Sequence, residues 1–340
     1  MKLGIHNAKG SFSERWIDYC REQRIPFKLI DCYRTDIIDQ LADCDALMWH
    51  FNHKSSKACK FARQLLYSVT AGGKSVFPDF NTVWHFDDKL GQKYLLESIN
   101  APLVPSYAFY DKKEAVDWAR GAIYPKVFKL RTGAGSDNVR LVKSKNEAFR
   151  LIRKAFGKGF VQYKAWSNLS ERLRKFRLGK TTLWDVMKGV IRLAFTTEFS
   201  KVAGREKGYI YFQNFIPNND HDIRVVVIGD KAFAIKRLVR KGDFRASGSG
   251  VILYDKSFID ENIVNISFQI SDRLNTQCIA FDYVFDMTKP LIVEISYGFT
   301  PSGYDPCPGY WSRDLVWHEG KFNPYGWMVE NLIRSVQVKV

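Results

Sequence analysis

Two apolar, β-branched runs near the C-terminus, Ala280-Phe-Asp-Tyr-Val-Phe-Asp286 and Leu291-Ile-Val-Glu-Ile-Ser296, each carry an acid in mid-run. Runs of this kind read as buried strands. The Asp286-Met-Thr-Lys-Pro290 turn between them makes the strands neighbours and lets Asp282 and Glu294 point the same way. A carboxylate flanked by Phe281, Val284, Ile292 and Ile295 is costly to bury unless it is paired or holds a cation. Two readings follow. Each acid is matched by a nearby Lys or Arg, or the two together hold magnesium, which takes few carboxylates and fills its shell with phosphate oxygens. Either way the fold must deliver positive charge to these two positions.

Candidates for that charge lie upstream. Lys126 to Val142 reads as an apolar strand carrying Lys129, a small-residue turn from Gly133 to Asn138, and a second strand. Backbone N–H groups and one ammonium arranged this way suit a polyphosphate, and the same pattern also describes an ordinary hairpin. Tyr209 to Asp230 reads as strand, Pro-Asn loop and strand, ending in a Gly-Asp turn. Arg237, Arg240 and Arg245 then surround a second Gly-Asp turn ahead of a Gly-Ser-Gly loop. A guanidinium fork matches an acyl phosphate, and spread over solvent the same arginines make a basic edge strand.

Taken in order, these segments resemble the ATP-grasp superfamily, most closely its ribosomal-S6-glutamate-ligase-like (RimK-like) carboxylate–amine ligases. The resemblance covers roughly residues 86 to 300. It rests on Lys89 in Asp87-Asp-Lys-Leu-Gly-Gln-Lys-Tyr-Leu-Leu96, Lys129, the small-residue loop and the Gln-Asn-Phe-Ile hinge. Asp-Ile-Arg224, Lys-Arg237, Gly-Asp-Phe-Arg245, Asp282 and Glu294-Ile-Ser296 complete it. It implies an α/β (α+β) ATP-grasp fold, with ATP and one or two magnesium ions as cofactors. By analogy Lys89 and Lys129 hold the α- and β-phosphates, with the loop residues Gly133, Gly135 and Ser136 beside them. The backbone of Gln213, Asn214, Phe215 and Ile216 meets adenine, and Asp222 and Arg224 belong to the nucleotide site. Asp282, Glu294 and Ser296 bind metal, and Arg237 and Arg245 face the transferred phosphate. The implied reaction makes an acyl phosphate from ATP and lets an amine displace phosphate, a chemistry that asks mainly for positioning and charge neutralisation. Two positions depart from the pattern. Asn214 stands where the family has Glu, in a hinge read mostly through its backbone. Ser296 stands where Glu-x-Asn supplies a third metal ligand, and its shorter hydroxyl weakens the second magnesium position.

At 340 residues and 46% hydrophobic, the chain has room for two or three compact units. Residues 1–85 predict an N-terminal α/β domain. It has strands at Lys2–Asn7, Phe27–Asp31, Ala46–Phe51 and Ser75–Phe77, and helices at Ser13–Gln23, capped by Ser13, and near Ser56–Ala71. That alternation implies a parallel sheet. Residues 86–215 are expected to form the ATP-binding subdomain, and 216–340 a C-terminal subdomain with the metal site and an aromatic tail. His50, His53 and His85 read as surface residues. The six cysteines show neither metal spacing nor a disulfide framework and read as buried thiols of a reducing cytoplasm. Met1 to Gly10 lacks the apolar core of a signal peptide, and no apolar run is long enough to span a bilayer.

The charge is uneven. Arg150 to Gly208 holds 15 Lys+Arg against 4 Asp+Glu, so most of the chain's formal net charge of +16 falls in this window, which contains an insertion at about 159–208. Apolar residues at 183, 186, 187, 190, 191 and 194 have helical spacing. One reading is a helical pair with a solvated basic face. The other is a face that meets an anionic polysaccharide or a membrane surface. The resemblance extends to ATP-grasp proteins of bacterial surface-glycan pathways, which suggests a small-molecule or glycan carboxylate, an amine co-substrate and the family's tendency to dimerise. Tyr297, Phe299, Tyr304, Tyr310, Trp311 and Trp317 stack on sugar rings in that reading, or form a C-terminal core. A cytoplasmic protein, drawn to the inner membrane face by its insertion, is expected. An ATP-binding pseudoenzyme and a basic polyanion- or nucleic-acid-binding protein are the alternatives. No recognition-helix or RNA-binding signature accompanies the charge, so no specific nucleic acid is expected.

Overall fold

The computed structural model describes residues 1–52, 55–133, 138–161, 176, 182, 184, 187, 204–240, 243–245 and 250–338. It begins with a four-stranded parallel sheet in the order Phe27–Ile30, Leu3–His6, Ala46–Met48, Ser75–Phe77. Helix Ser56–Ala71 falls where the sequence predicts it. Helix Phe12–Glu22 starts one residue early and is capped by Ser11, not Ser13. Ser11 has the extended backbone a cap requires and accepts the Ser13 N–H, while the Ser13 hydroxyl turns back to Asn7 and Ala8 and fastens the strand-to-helix loop.

A second, four-stranded sheet runs Ser106–Phe109, Ile210–Asn214, Lys126–Lys129, Arg140–Val142, covered on one face by helices Lys112–Gly121 and Lys145–Ala155. Its own core gathers Phe128, Phe212, Ala115 and Ile152. The third and largest sheet runs Lys289–Ser296, Cys278–Asp286, His221–Ile228, Lys231–Leu238, Gly309–Ser312, Trp317–Glu319. One face packs on helix Glu261–Leu274, which is capped by Asp260 and ended by Asn275 in the left-handed region.

The other face is shared. Val226, Ile228, Phe233 and Ala280 of the large sheet, Leu3, Ile5, Phe12 and Trp16 of the N-terminal unit, and Met328 and Leu332 of helix Pro324–Gln337 form one core. Gly326 permits the approach of that last helix, because a Cβ there would lie 2.7 Å from the Tyr19 ring. Phe299 and Tyr304 are buried in this shared core, Trp311 on the opposite face of the large sheet, and Tyr297 against Trp49, Phe51 and Phe86 of the N-terminal unit, which accounts for much of the aromatic richness of the tail.

Residues 162–203 connect the short antiparallel pair Phe160–Val161 and Arg205–Glu206. Trp184 and Met187 are helical and exposed, and the other positions of the predicted amphipathic stripe lie outside the described residues.

Candidate active site

Strand alternation places Asp222 and Arg224 on one face of His221–Ile228. Register then aligns Asp222 with Arg237, Arg224 with Asp282, and Asp282 with Glu294 across three neighbouring ladders. The result is a polar band at one end of an otherwise apolar sheet face. Arg237 binds Asp222 through both oxygens, Nε to Oδ1 at 2.8 Å and Nη2 to Oδ2 at 2.5 Å. Its Nη2 also lies 2.9 Å from Asp282 Oδ1, and Arg224 Nε stands 3.4 Å from the same oxygen. Burial disfavours the Asp282 charge, but Arg224 and Arg237 outweigh it and hold the carboxyl below its usual range. The acids of the central hairpin are therefore paired, as one of the two sequence readings requires.

Glu294 meets the first lysine. Lys89 Nζ lies 3.4 Å from Glu294 Oε1 and donates to the Gly133 carbonyl at 3.0 Å. Burial works against the ammonium, yet Glu294 and Asp87 outweigh it and raise its pKa. Lys129 donates to Gln213 Oε1 at 2.7 Å. Burial first, then repulsion from Lys89, brings it down to about 8, against the attraction of Glu294 and Asp282. Lys89, Lys129, Arg224 and Arg237 thus face Asp222, Asp282 and Glu294.

The hinge follows the Lys129 strand. Gln213 is fixed by Ser106, to which its Nε2 donates at 3.1 Å. Asn214 lies opposite Lys126 in register and accepts from its Nζ at 2.6 Å. Lys126 is three residues from Lys129, so the two lysines sit on opposite strand faces and the Asn214 side chain turns away from the Lys129 side. The departure at Asn214 therefore leaves that side unaltered. Ile216 packs with Val104, Val284, Leu291 and Val293, and gives the hinge an apolar wall; Phe215 is half-buried beside it.

Asp282 and Glu294 suit a hard divalent cation, being two oxygen donors directly opposed on one face. The third candidate is already engaged: Ser296 Oγ accepts the Gly298 N–H and donates to the Gly298 carbonyl, both at 3.1 Å. Among the described residues no group of three or more His, Cys, Asp or Glu is placed to hold a metal ion. Arg245 is bound by Asp243, with Nε at 2.8 Å from Oδ1. Gly133 takes its place at the loop base, where its N–H donates to Asp87 Oδ1 at 2.7 Å, while Gly135 and Ser136 lie outside the described residues.

The histidines depart from expectation. His50 is 5% exposed and His85 fully buried, and His53 lies outside the described residues. His50 stacks on Phe12 with ring centroids 3.7 Å apart and accepts the Phe12 N–H at Nδ1. Burial lowers His85 to about 4, which keeps it neutral. The sequence does not announce the contact made by Tyr297, whose hydroxyl accepts the Phe51 N–H at 3.0 Å and donates to the Phe51 carbonyl, tying the N-terminal unit to the strand that carries Glu294.

Tyr310 and Trp311 leave the site by another edge. Trp311 pairs with Ala232, five residues along the strand from Arg237, a separation of about 17 Å. A cavity of about 400 Å³ bounded by Asp220, His221, Ile223, Phe258 and Phe285 opens behind the same sheet, on the face opposite Asp222 and Arg224. No helix among the described residues is long and apolar enough to cross a membrane.

Comparison with known proteins bears on the fold. Residues 192–299 match the model of the RimK-like ATP-grasp domain. The chain is similar in structure to a RimK domain ATP-grasp protein from Sphaerobacter thermophilus, at 13% identity and a TM-score of 0.56, over 98% of this chain and 100% of that one. It is similar to the D-alanine–D-alanine ligase of Bacillus anthracis complexed with ATP, at 10% identity and a TM-score of 0.59, over 100% and 99% of the two chains. D-cycloserine synthetase DcsG superposes at 12% identity and a TM-score of 0.58, over 98% and 99%. No curated protein sequence matches the chain. The three sheets thus form an ATP-grasp fold, within which residues 192–299 match the RimK-like ATP-grasp domain.

Proposed function

We propose that the protein is an ATP-dependent carboxylate–amine ligase that forms an amide through an acyl phosphate. The observation that carries this reading is the facing of Asp282 and Glu294 by Lys89, Lys129 and Arg237 beside an apolar hinge wall. In the first step a substrate carboxylate oxygen attacks the γ-phosphorus and the bond to ADP breaks. In the second, an amine nitrogen attacks the acyl carbon, inorganic phosphate leaves and the amine gives up a proton. Lys89 and Lys129 neutralise phosphate oxygens. Arg237, pinned by Asp222, presents a fixed positive charge to the transferred phosphoryl group. Asp282 and Glu294 would hold magnesium, which supplies further neutralisation when bound.

For the carboxylate we favour a sugar acid or another anionic acceptor, with the basic insertion as the surface that receives it. Support for this is the concentration of Lys and Arg between residues 150 and 208. The test is ADP and phosphate release from Mg-ATP with pooled amino acids, amines and sugar acids, Glu294→Ala serving as control. Release that needs both a carboxylate and an amine, and is lost in the variant, supports the ligase. ATP binding without ADP release in every pool would favour a nucleotide-binding pseudoenzyme, a reading that the engagement of Ser296 by Gly298 supports.

A further inference from the structure

The buried carboxylate of Glu206 has no part in the chemistry above, yet several groups at the base of the phosphate loop converge on it. Glu206 is 7% exposed and belongs to the short strand at the downstream foot of the insertion. Its Oε1 accepts from Thr132 Oγ1 at 2.9 Å and its Oε2 from Tyr209 OH at 2.8 Å, while Arg131 Nε stands 3.8 Å away. The Tyr209 hydroxyl in turn accepts the Arg131 N–H at 2.8 Å. Burial, reinforced by Glu206, keeps the phenol protonated and so a donor.

The chain of contacts continues to the phosphate lysine. The Arg131 carbonyl accepts the Lys89 N–H at 2.9 Å, Arg131 Nη1 donates to Asp88 Oδ2 at 3.0 Å, and the Gly133 carbonyl takes Lys89 Nζ. Arg131, Thr132 and Gly133 therefore have the Lys89 helix on one side and Glu206 with Tyr209 on the other. The foot that carries Glu206 is itself firm: Arg205 Nε donates to the Lys158 carbonyl at 2.7 Å, and a Cβ at Gly159, which has φ +68°, would lie 2.7 Å from the Glu206 carbonyl.

We infer that Glu206 is a positioning residue for the nucleotide phosphates: its carboxylate, with Tyr209, fixes Arg131 to Gly133 and through them the placement of Lys89. The inference rests on the proposed nucleotide site and makes a narrower claim, that this grip acts on phosphate and not on adenosine. Removing a buried acceptor that holds two hydroxyl donors loosens the loop while leaving the hinge untouched.

The test is direct binding of Mg-ATP, Mg-ADP and adenosine by titration calorimetry to the full chain and to Glu206→Ala, Glu206→Gln, Thr132→Val and Tyr209→Phe. Glu206→Ala is expected to weaken Mg-ATP and Mg-ADP by about tenfold and to leave adenosine within about twofold. Glu206→Gln, which retains an acceptor oxygen, recovers part of the loss. Thr132→Val and Tyr209→Phe, each nearly isosteric, show the same selectivity and keep the test available if Glu206→Ala does not fold. Unchanged phosphate affinity in the variants would overturn the inference, and so would equal losses for ATP and adenosine. A wild-type chain that binds neither nucleotide would overturn the proposed function instead.

Discussion

Asp282 stands directly across an antiparallel ladder from Glu294, and the two carboxylates are held by different cations, Asp282 by Arg237 at 2.9 Å and Glu294 by Lys89 at 3.4 Å. Like charges directly opposed on a sheet repel, and each carboxylate has a cation of its own to offset that repulsion. The register shift between Asp282 and Tyr283 falls at this point, where a bulge re-aims side chains. Glu294 is the more open of the two, with its side chain 34% exposed.

Replacing Glu294 with Gln keeps the shape and removes the charge. The magnesium concentration required for half-maximal ADP release should rise at least about tenfold, with the fold retained. A magnesium titration at saturating ATP checks this, and an unaltered requirement would remove Glu294 from the metal site.

Lys129 gives a pH signature. Its folded pKa is depressed to about 8 from 10.5, so between these values the unfolded chain binds the extra proton. Its stabilising contribution is therefore present above pH 10.5 and lost as pH falls through about 8. At pH 7 the buried charge costs about 3 kcal/mol, of which the hydrogen bond to Gln213 returns about 1 kcal/mol. Lys129→Met should be more stable than wild type by about 2 kcal/mol at pH 7, with the gap closing toward pH 10, while losing ATP binding. Urea midpoints across that range decide it. A variant less stable at pH 7 would sink the argument.

Arg237→Ala leaves Asp222 buried without its bidentate partner and Asp282 with one cation fewer. Loss of one member of a buried pair costs about 3–5 kcal/mol, and ADP formation should fall by about a hundredfold or more. Adding Asp222→Asn should restore much of the stability and none of the activity. The two readouts, a thermal midpoint and a turnover rate, are thereby separated; wild-type kinetics in Arg237→Ala would discredit the site.

Tyr297→Phe removes one oxygen that serves both backbone groups of Phe51. The loss should be about 1–3 kcal/mol, since the Phe51 N–H and carbonyl are left buried without that partner. A denaturant midpoint lowered at constant m-value is the expected result.

The hairpin that carries Asp282 and Glu294 was legible in the sequence because an acid in the middle of an apolar, β-branched run demands a cationic partner, and the turn Asp286–Pro290 joins its strands; the pairing of Asp282 with Glu294 depends on the register shift beside Tyr283, which no residue signalled. Lys89 and Lys129 were legible by order along the chain. What escaped was contact at long range. Nothing near Tyr297 says that it reaches Phe51, 246 residues away, and nothing near Glu206 names Thr132, 74 residues upstream. The helix cap slipped from Ser13 to Ser11 because two serines flank Phe12 and only backbone geometry chooses between them. His50 and His85 looked exposed because an imidazole is buried by its surroundings, not by its neighbours in sequence.

The shared core of the first helix and the last has a consequence in time. Tyr19 bonds Glu330 across 311 residues, and Arg15 reaches Asp305 at 2.8 Å. A ribosome adding about 5–20 residues per second takes roughly 15 to 60 s to bring the second partner into being after the first. Through that interval Trp16 and Phe12 lack the helix that covers them. The unit that carries the first helix is thus made well before the helix that completes its core.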